Sequence, residues 1–150
     1  MMSLHKVLCS CFGIGYIKGG GTIAALVCCT CWYLICKNNC NIYITVAATL
    51  LITVIGIWSA GKMEMVWGED SSKVVIDEAA GMCVSLLYVP VQLKYILTAL
   101  ILFRFFDIAK PLYIRNLEKL SGGWGVMADD LLSGIYTNLI LQAIVLSNLF

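Results

Sequence analysis

Three groups of charged residues in this sequence combine carboxylates with basic side chains beside long apolar stretches. They are Asp77–Glu78, the series Arg104, Asp107 and Lys110, and Asp129–Asp130. If the groups came together, their five carboxylates would repel one another, and a divalent cation with oxygen ligands would relieve that repulsion. The sequence therefore predicts Mg²⁺, with Mn²⁺ or Ca²⁺ as alternatives, bound among Asp77, Glu78, Asp107, Asp129 and Asp130.

The basic side chains of the middle group are suited to an anionic substrate. Arg104 and Lys110 can donate charge-assisted hydrogen bonds to a phosphate, and predicted helix starts near Thr22, Asp77 and Asp129 add backbone N–H donors. A hard cation would polarise the phosphate and activate water, which predicts phosphoryl chemistry. We therefore expect Thr22, Arg104 and Lys110 to bind substrate. Nothing in the sequence selects the base among the three candidates for catalytic roles, which are Asp77, Asp107 and Asp130.

Simpler structural roles compete with this interpretation. Acidic residues in a first helical turn complement the helix dipole, which would suffice for Asp77 or Asp129. Arg104 and Asp107 are three residues apart and would form an ion pair on one helix. Four further acids are expected to be solvated loop charges: Glu64, Glu69, Asp70 and Glu118. The eight cysteines are expected to pack as small apolar residues, because no metal-ligand or redox arrangement surrounds them.

The composition is that of an integral membrane protein rather than a soluble enzyme. Of the 150 residues, 61% are hydrophobic and 13% are charged, whereas about a quarter of a soluble domain is charged. The mean hydropathy is +0.91. This length predicts a single domain over residues 1–150. A net charge of +1 gives no electrostatic basis for binding nucleic acid, and the sequence makes no prediction of oligomeric state.

Five apolar stretches could form the helices of a membrane bundle. They cover residues 19–36, 42–61, 74–89, 95–109 and 131–150, near the roughly 20 residues that one crossing needs. Pro111 predicts the end of the fourth helix, and residues 62–73 and 110–130 are predicted loops. Residues 1–21 predict an interfacial segment, with His5 near a mobile end. The predicted fold class is therefore all-α, a polytopic membrane helical bundle of about four to five apolar helices with an interfacial N-terminal segment.

The distribution of lysine and arginine orients this bundle. With the N-terminus in the cytoplasm, only Lys37 and Lys94 of the ten basic residues lie outside, and the opposite orientation inverts that split. The same topology places Thr22 and the three charged groups at the cytoplasmic face. Residues distant in sequence are thus predicted to share one site.

The charged groups lie within four motifs that occur in a characteristic order. The motifs are Gly21-Thr22 with Ala25-Leu26, residues 77–82 (DEAAGM), residues 103–111 followed by Ile114-Arg115, and residues 122–127 (GGWGVM) leading to Asp129-Asp130 and Gly134. Together they resemble phosphatidylglycerophosphatase A, the bacterial membrane phosphatase family of phosphatidylglycerol synthesis. The resemblance covers residues 19–134. Gly20 and the pair Leu112-Tyr113 stand where that family usually has proline.

The resemblance implies a magnesium-dependent lipid phosphatase in the bacterial cytoplasmic membrane. Its substrate would be phosphatidylglycerophosphate, a phospholipid of the bilayer, and its products phosphatidylglycerol and phosphate. Other classes stay open as alternatives: another lipid-phosphate hydrolase, a small ion carrier whose acids line a pathway, and a headgroup transferase of the CDP-alcohol type. The transferase is the weakest alternative, because the aspartate series expected within one loop and helix is absent from the sequence.

Overall fold

The described part of the chain is built from helices. A computed structural model describes residues 2–38, 41–68 and 71–148. Seven α-helices and one 3₁₀ turn (Ile14–Tyr16) occur there without any strand, which confirms the all-α prediction. The helices are α1 (Met2–Cys9), α2 (Gly20–Cys36), α3 (Ile42–Trp67), α4 (Ile76–Leu86), α5 (Leu93–Ala109), α6 (Ile114–Leu117) and α7 (Gly123–Leu146).

Helix α4 lies at the centre and packs against α2, α3, α5 and α7. Two glycines, Gly81 and Gly134, let α4 and α7 approach closely. A Cβ added at Gly81 would lie 2.6 Å from the backbone oxygen of Asp130, and one added at Gly134 would overlap the backbone oxygen of Gly81. Phe103 of α5 fills the space beside Gly81 and is fully buried. This crossing fixes the distance between the start of α4 and the acidic turn of α7.

Several predicted element boundaries are wrong. Helix α4 has 11 residues instead of the predicted span 74–89, so it is too short to cross a bilayer as a regular helix. Helix α3 continues through the predicted loop at residues 62–67, because Met63 faces the core and is fully buried. Helix α7 begins at Gly123 rather than at Leu131, and its second turn is held by the buried Met127. The fourth predicted helix, which is α5, ends just before Pro111, as predicted.

The N-terminal segment is packed onto the bundle. His5 is buried, its Nδ1 lies 3.2 Å from the hydroxyl of Ser59, and its ring contacts Trp58 edge-on. The backbone N–H of Val75 donates to the carbonyl of Cys9, which ties α1 to the approach to α4. The prediction that His5 lies near a mobile end is therefore wrong, since α1 packs along α3.

Only part of the membrane prediction has direct support. Within the described residues, α3 is the one helix that is both long and apolar enough to cross a membrane. Its exposed positions carry large apolar side chains such as Ile44 and Leu50, whereas buried positions include Thr45 and Thr49. The additional crossings of the predicted polytopic bundle stay a prediction.

Candidate active site

A cavity of about 1070 Å³ lies where the charged ends of α4, α5 and α7 meet the start of α2. Every site residue predicted from the sequence lines it: Thr22, Asp77, Glu78, Arg104, Asp107, Lys110, Asp129 and Asp130. The structure therefore brings the predicted set together at one end of the bundle.

Local structure determines how each group enters the cavity. Asp77 and Glu78 occupy the first turn of α4, as predicted. Lys110 follows α5 directly in a left-handed conformation with φ of 44°, which turns the chain toward α6. Asp129 and Asp130 lie in the second turn of α7 or just beyond it. The prediction of a helix N-terminus at Asp129 is therefore wrong, because the residues before it are already helical.

The closest group of acids is formed by Asp77, Glu78 and Asp130, which we call the acidic triad. One carboxylate oxygen from each lies within 4.8 Å of the others. Asp130 is buried and the other two are half-buried. Desolvation, followed by the neighbouring carboxylates, raises the pKa of Asp77 and Asp130 well above the ordinary aspartate range. Without a counter-charge, the triad is an unfavourable arrangement.

A divalent cation fits this arrangement. The Oδ1 atom of Asp77 and the Oε2 atom of Glu78 are buried and have no hydrogen-bond partner among the described residues. Carboxylate oxygens are the ligands that Mg²⁺ and related hard cations prefer. Unpartnered buried oxygens at such short separations are expected at a cation site and are costly elsewhere. The triad is thus the part of the cavity best suited to Mg²⁺.

Arg104 and Asp107 form a second unit beside the triad. Their side chains form an ion pair, as their spacing predicts, and Arg104 Nη1 also lies 3.9 Å from Glu78 Oε1. The Nε atom of Arg104 is buried and unpartnered among the described residues. Asp107 is thus adjacent to the triad while held by Arg104. The guanidinium keeps donor capacity for an anion at this side of the cavity.

Lys110 connects α5 to two acidic partners. Its Nζ donates to Asp129 Oδ2 at 2.7 Å and also pairs with Glu118. Burial lowers the pKa of Lys110, but the hydrogen bonds to both carboxylates outweigh this effect and raise it above the ordinary lysine value. Asp129 therefore neutralises Lys110, whereas its other oxygen, Oδ1, is buried without a partner among the described residues.

Sequence reasoning missed part of the cavity lining. Glu118 was expected to be a solvated loop charge, but it pairs with Lys110 and lines the cavity, as does Glu64. Lys18 and Lys73 also line it, although no motif singled them out. No short-range signal could have identified these residues, because they reach the cavity through tertiary packing. Glu69 and Asp70, also predicted to be loop charges, lie outside the described residues.

Thr22 reaches the cavity through the glycine-rich start of α2. Gly21 lies directly against the carboxylate of Glu78, and a Cβ at this position would overlap Oε1. Glycine therefore permits the close approach of α2 to the triad. The predicted helix start near Thr22 is confirmed, since α2 begins at Gly20.

Comparison with known proteins identifies the family of this chain. Residues 7–145 match the family described as Phosphatidylglycerophosphatase A. A protein of Bacteroides thetaiotaomicron, provisionally named phosphatidylinositol-3-phosphatase, is 41% identical over 87% of this chain and 86% of its own length. A Haemophilus influenzae protein named phosphatidylglycerophosphatase A is 39% identical over 64% of this chain and 61% of its own length. An Escherichia coli protein of the same name is 29% identical over 83% of this chain and 73% of its own length. No solved structure matches the chain. The match to the family covers nearly the whole chain, including every residue of the cavity named above, and the chain therefore belongs to the phosphatidylglycerophosphatase A family of phosphatases.

Proposed function

We propose that this protein is a magnesium-dependent lipid phosphatase of the bacterial cytoplasmic membrane that hydrolyses phosphatidylglycerophosphate to phosphatidylglycerol and phosphate. The observation that carries the proposal is the acidic triad, with its oxygens within 4.8 Å, beside Arg104 in one cavity. Family membership supports the substrate, since relatives named phosphatidylglycerophosphatase A align over most of the chain. The ion-carrier alternative is disfavoured, because the acids gather at one end of the bundle instead of following a path across it.

The acidic triad would hold the cation, with Asp107 and Asp129 next to it. A bound Mg²⁺ supplies Lewis-acid polarisation of the phosphate and lowers the pKa of water. Two buried unpartnered oxygens, Asp77 Oδ1 and Glu78 Oε2, are the first candidates for ligands. The same donor set would accept Mn²⁺, which shares the preference for oxygen ligands.

The residues around the triad would bind the phosphate and manage its protons. Arg104, held by Asp107, would orient the phosphate oxygens through its remaining donors. Lys110 stays protonated and would stabilise negative charge developing on the phosphate or on the departing glycerol oxygen. Hydrolysis breaks the bond between phosphorus and that oxygen, while water forms the new bond and gives up a proton. A carboxylate beside the cation, Asp77, Asp107 or Asp130, would accept this proton, and the departing glycerol oxygen takes up one proton to become the hydroxyl of phosphatidylglycerol.

A phosphoinositide is a second candidate substrate. The Bacteroides relative, which aligns over 86% of its length, is named for a 3-phosphoinositide. Both lipids carry a phosphomonoester on a polyol headgroup, so the same triad and Arg104 could act on either. We favour phosphatidylglycerophosphate because the family match covers residues 7–145.

The bundle would sit in the bilayer with this cavity on the cytoplasmic side. Large apolar side chains are exposed on α2, α3, α5 and α7, among them Ile35, Leu51, Ile101 and Leu139. The short α4 ends inside the bundle, where Asn138 donates to the carbonyl of Leu87, and irregular backbone within a membrane needs partners of this kind. In this arrangement the crossing by α7 starts after its acidic turn. A reporter fused to the C-terminus should then be active outside the cytoplasm, and a cytoplasmic C-terminus would contradict the proposed topology.

Phosphate release tests the proposed function directly. Purified protein in detergent micelles is incubated with phosphatidylglycerophosphate or phosphatidylinositol 3-phosphate, with Mg²⁺ or with EDTA. We expect Mg²⁺-dependent release from phosphatidylglycerophosphate, and a loss of about 10²-fold or more in Asp107→Asn and Asp130→Asn, whose folding is checked by circular dichroism. Equal release in EDTA would reject the cation. Release from the phosphoinositide alone would move the substrate to the second candidate, and release from neither would reject both.

A further inference from the structure

Lys18 and Lys73 are charged residues of the cavity that the hydrolytic step leaves without a role. We propose that these two lysines bind a second anionic group of the lipid substrate, the phosphodiester that joins the headgroup to diacylglycerol. They would thereby select lipids that carry both a phosphodiester and a terminal phosphomonoester. This inference rests on the proposed lipid phosphatase activity and identifies how the same cavity recognises its substrate.

Two chain segments run side by side to place both lysines at one end of the cavity. Gly15 packs against the backbone of Lys73, where an added Cβ would lie 2.8 Å from the carbonyl carbon. Farther along the same two segments, Gly21 packs against the side chain of Glu78. Lys18 lies between the two glycines. The pairing of these segments therefore runs from a basic end, at Lys18 and Lys73, to an acidic end at the triad.

The basic end has unused positive charge. A further lysine of the cavity lining, Lys119, follows α6 and lies outside the two paired segments. Within the described residues, no salt bridge joins Lys18 or Lys73 to an acid, whereas Arg104 and Lys110 are both paired. Both lysines are exposed at the surface of the cavity. Paired cations near the triad are suited to the dianionic monoester, and the unpaired lysines are suited to a further anion.

An aromatic pair positions Lys73 at this surface. Its Nζ lies 5.8 Å from the centre of the Trp67 ring, and Tyr16 contacts Trp67 edge-on with centroids 6.1 Å apart. Tyrosine, tryptophan and lysine are the side chains typical of a membrane–water interface. The phosphodiester of a membrane lipid lies at this same depth, next to the acyl chains. The location of the lysines thus agrees with the location of the group that they would bind.

The chemistry of the candidate lipids makes the proposal selective. Phosphatidylglycerophosphate carries a phosphodiester and a phosphomonoester at the two ends of a glycerol unit, and phosphatidylinositol 3-phosphate carries both groups on an inositol ring. Phosphatidate carries a single phosphomonoester on diacylglycerol and has no phosphodiester. Phosphatidylglycerol, the proposed product, has the phosphodiester alone. These lipids separate binding at the basic end from binding at the triad.

The test compares full-length wild type with Lys18→Gln, Lys73→Gln and the double variant in mixed micelles. The measurements are kcat and KM for whichever diester-containing lipid the wild type hydrolyses, and the inhibition constant of phosphatidylglycerol. We expect each single variant to raise KM about tenfold, the double variant more, with kcat within about twofold. The inhibition constant should rise in parallel. Lys62→Gln removes an exposed positive charge of α3 that does not line the cavity and should leave both constants unchanged.

Each outcome separates this inference from the proposed function. A wild type inactive on both diester-containing lipids would reject the proposed function. An active wild type, with a double variant that matches the Lys62→Gln control in KM and in inhibition by phosphatidylglycerol, would reject the second anion site alone. A double variant that loses kcat at unchanged KM would also reject it, because the lysines would then act in the chemical step. Equal effects on any phosphatidate hydrolysis would assign the lysines to the monoester.

Discussion

Replacing Asp130 by asparagine should stabilise the cation-free protein while it abolishes turnover. One oxygen of Asp130 lies within 4.8 Å of oxygens from Asp77 and Glu78. Two unit charges 4.8 Å apart repel each other by about 3.5 kcal/mol at an effective dielectric constant of about 20. Protonation relieves part of this repulsion, so we expect a gain of about 1–3 kcal/mol in the free energy of unfolding. For a chain of this size that raises Tm by on the order of 5 °C.

The gain should depend on pH with a definite sign. Desolvation, followed by neighbouring carboxylates, raises the pKa of Asp130 in the folded protein. This contribution to stability is fully present below the ordinary aspartate pKa and is lost as the pH rises through the raised pKa. The amide side chain of the Asp130→Asn variant has no such titration, so the advantage of the variant over wild type should grow with pH in EDTA. Mg²⁺ should stabilise wild type and shrink the difference.

The adjacent acid provides a matched control that has its own counter-charge. Asp129 precedes Asp130 in the same helix but accepts a hydrogen bond from Lys110 at 2.7 Å. Burial raises the pKa of Asp129 as well, but Lys110 opposes this shift, so we expect Asp129→Asn to stabilise the cation-free protein by less than Asp130→Asn does. The assay is thermal unfolding followed by intrinsic fluorescence in detergent over a pH series, with phosphate release measured in parallel. The acidic triad would not be a cation site if Asp130→Asn were less stable than wild type in EDTA. The same would follow if Mg²⁺ stabilised the variant as much as it stabilises wild type.

Other substitutions test the packing and the anion-binding residues. Gly81→Ala would place a methyl group 2.6 Å from the backbone of α7. We expect it to lower the free energy of unfolding by about 1–3 kcal/mol and the activity by about 10²-fold. Gly61→Ala, whose Cβ would lie 3.2 Å from its nearest neighbour, should lower both quantities less. Arg104→Lys keeps the charge but loses the guanidinium geometry, and it should raise KM for the phosphomonoester at least about tenfold, measured by phosphate release; an unchanged KM would remove Arg104 from substrate binding. Asn138→Leu removes the side-chain donor to the carbonyl of Ser85 and one of the two donors to that of Leu87, which keeps Gln142. It should lower Tm by a few degrees with the KM of the folded fraction unchanged.

The residues of the candidate site could be named from the sequence because their chemistry is a local property, and so is the position at a helix end of Asp77, Glu78 and Lys110. Arg104 and Asp107 meet on one helix because residues three apart share a face, and the ion pair follows from the spacing alone. Pro111 predicted the end of α5 for an equally local reason, the restriction that proline places on the residue before it. The all-α class followed from apolar stretches that are long compared with strands.

Tertiary structure decided which of these groups touch. The acidic triad forms because Gly81 lets α4 cross α7 at close range, and the roughly fifty residues that separate Asp130 from Asp77 and Glu78 carry no information on their distance. Glu118 pairs with Lys110 through the turn after α5, although its sequence looks like any exposed loop. His5 is buried because α1 finds a surface on α3. Helical spacing fixes neighbours over about four residues, whereas contacts between helices depend on the shapes of both packed surfaces, which no single segment contains.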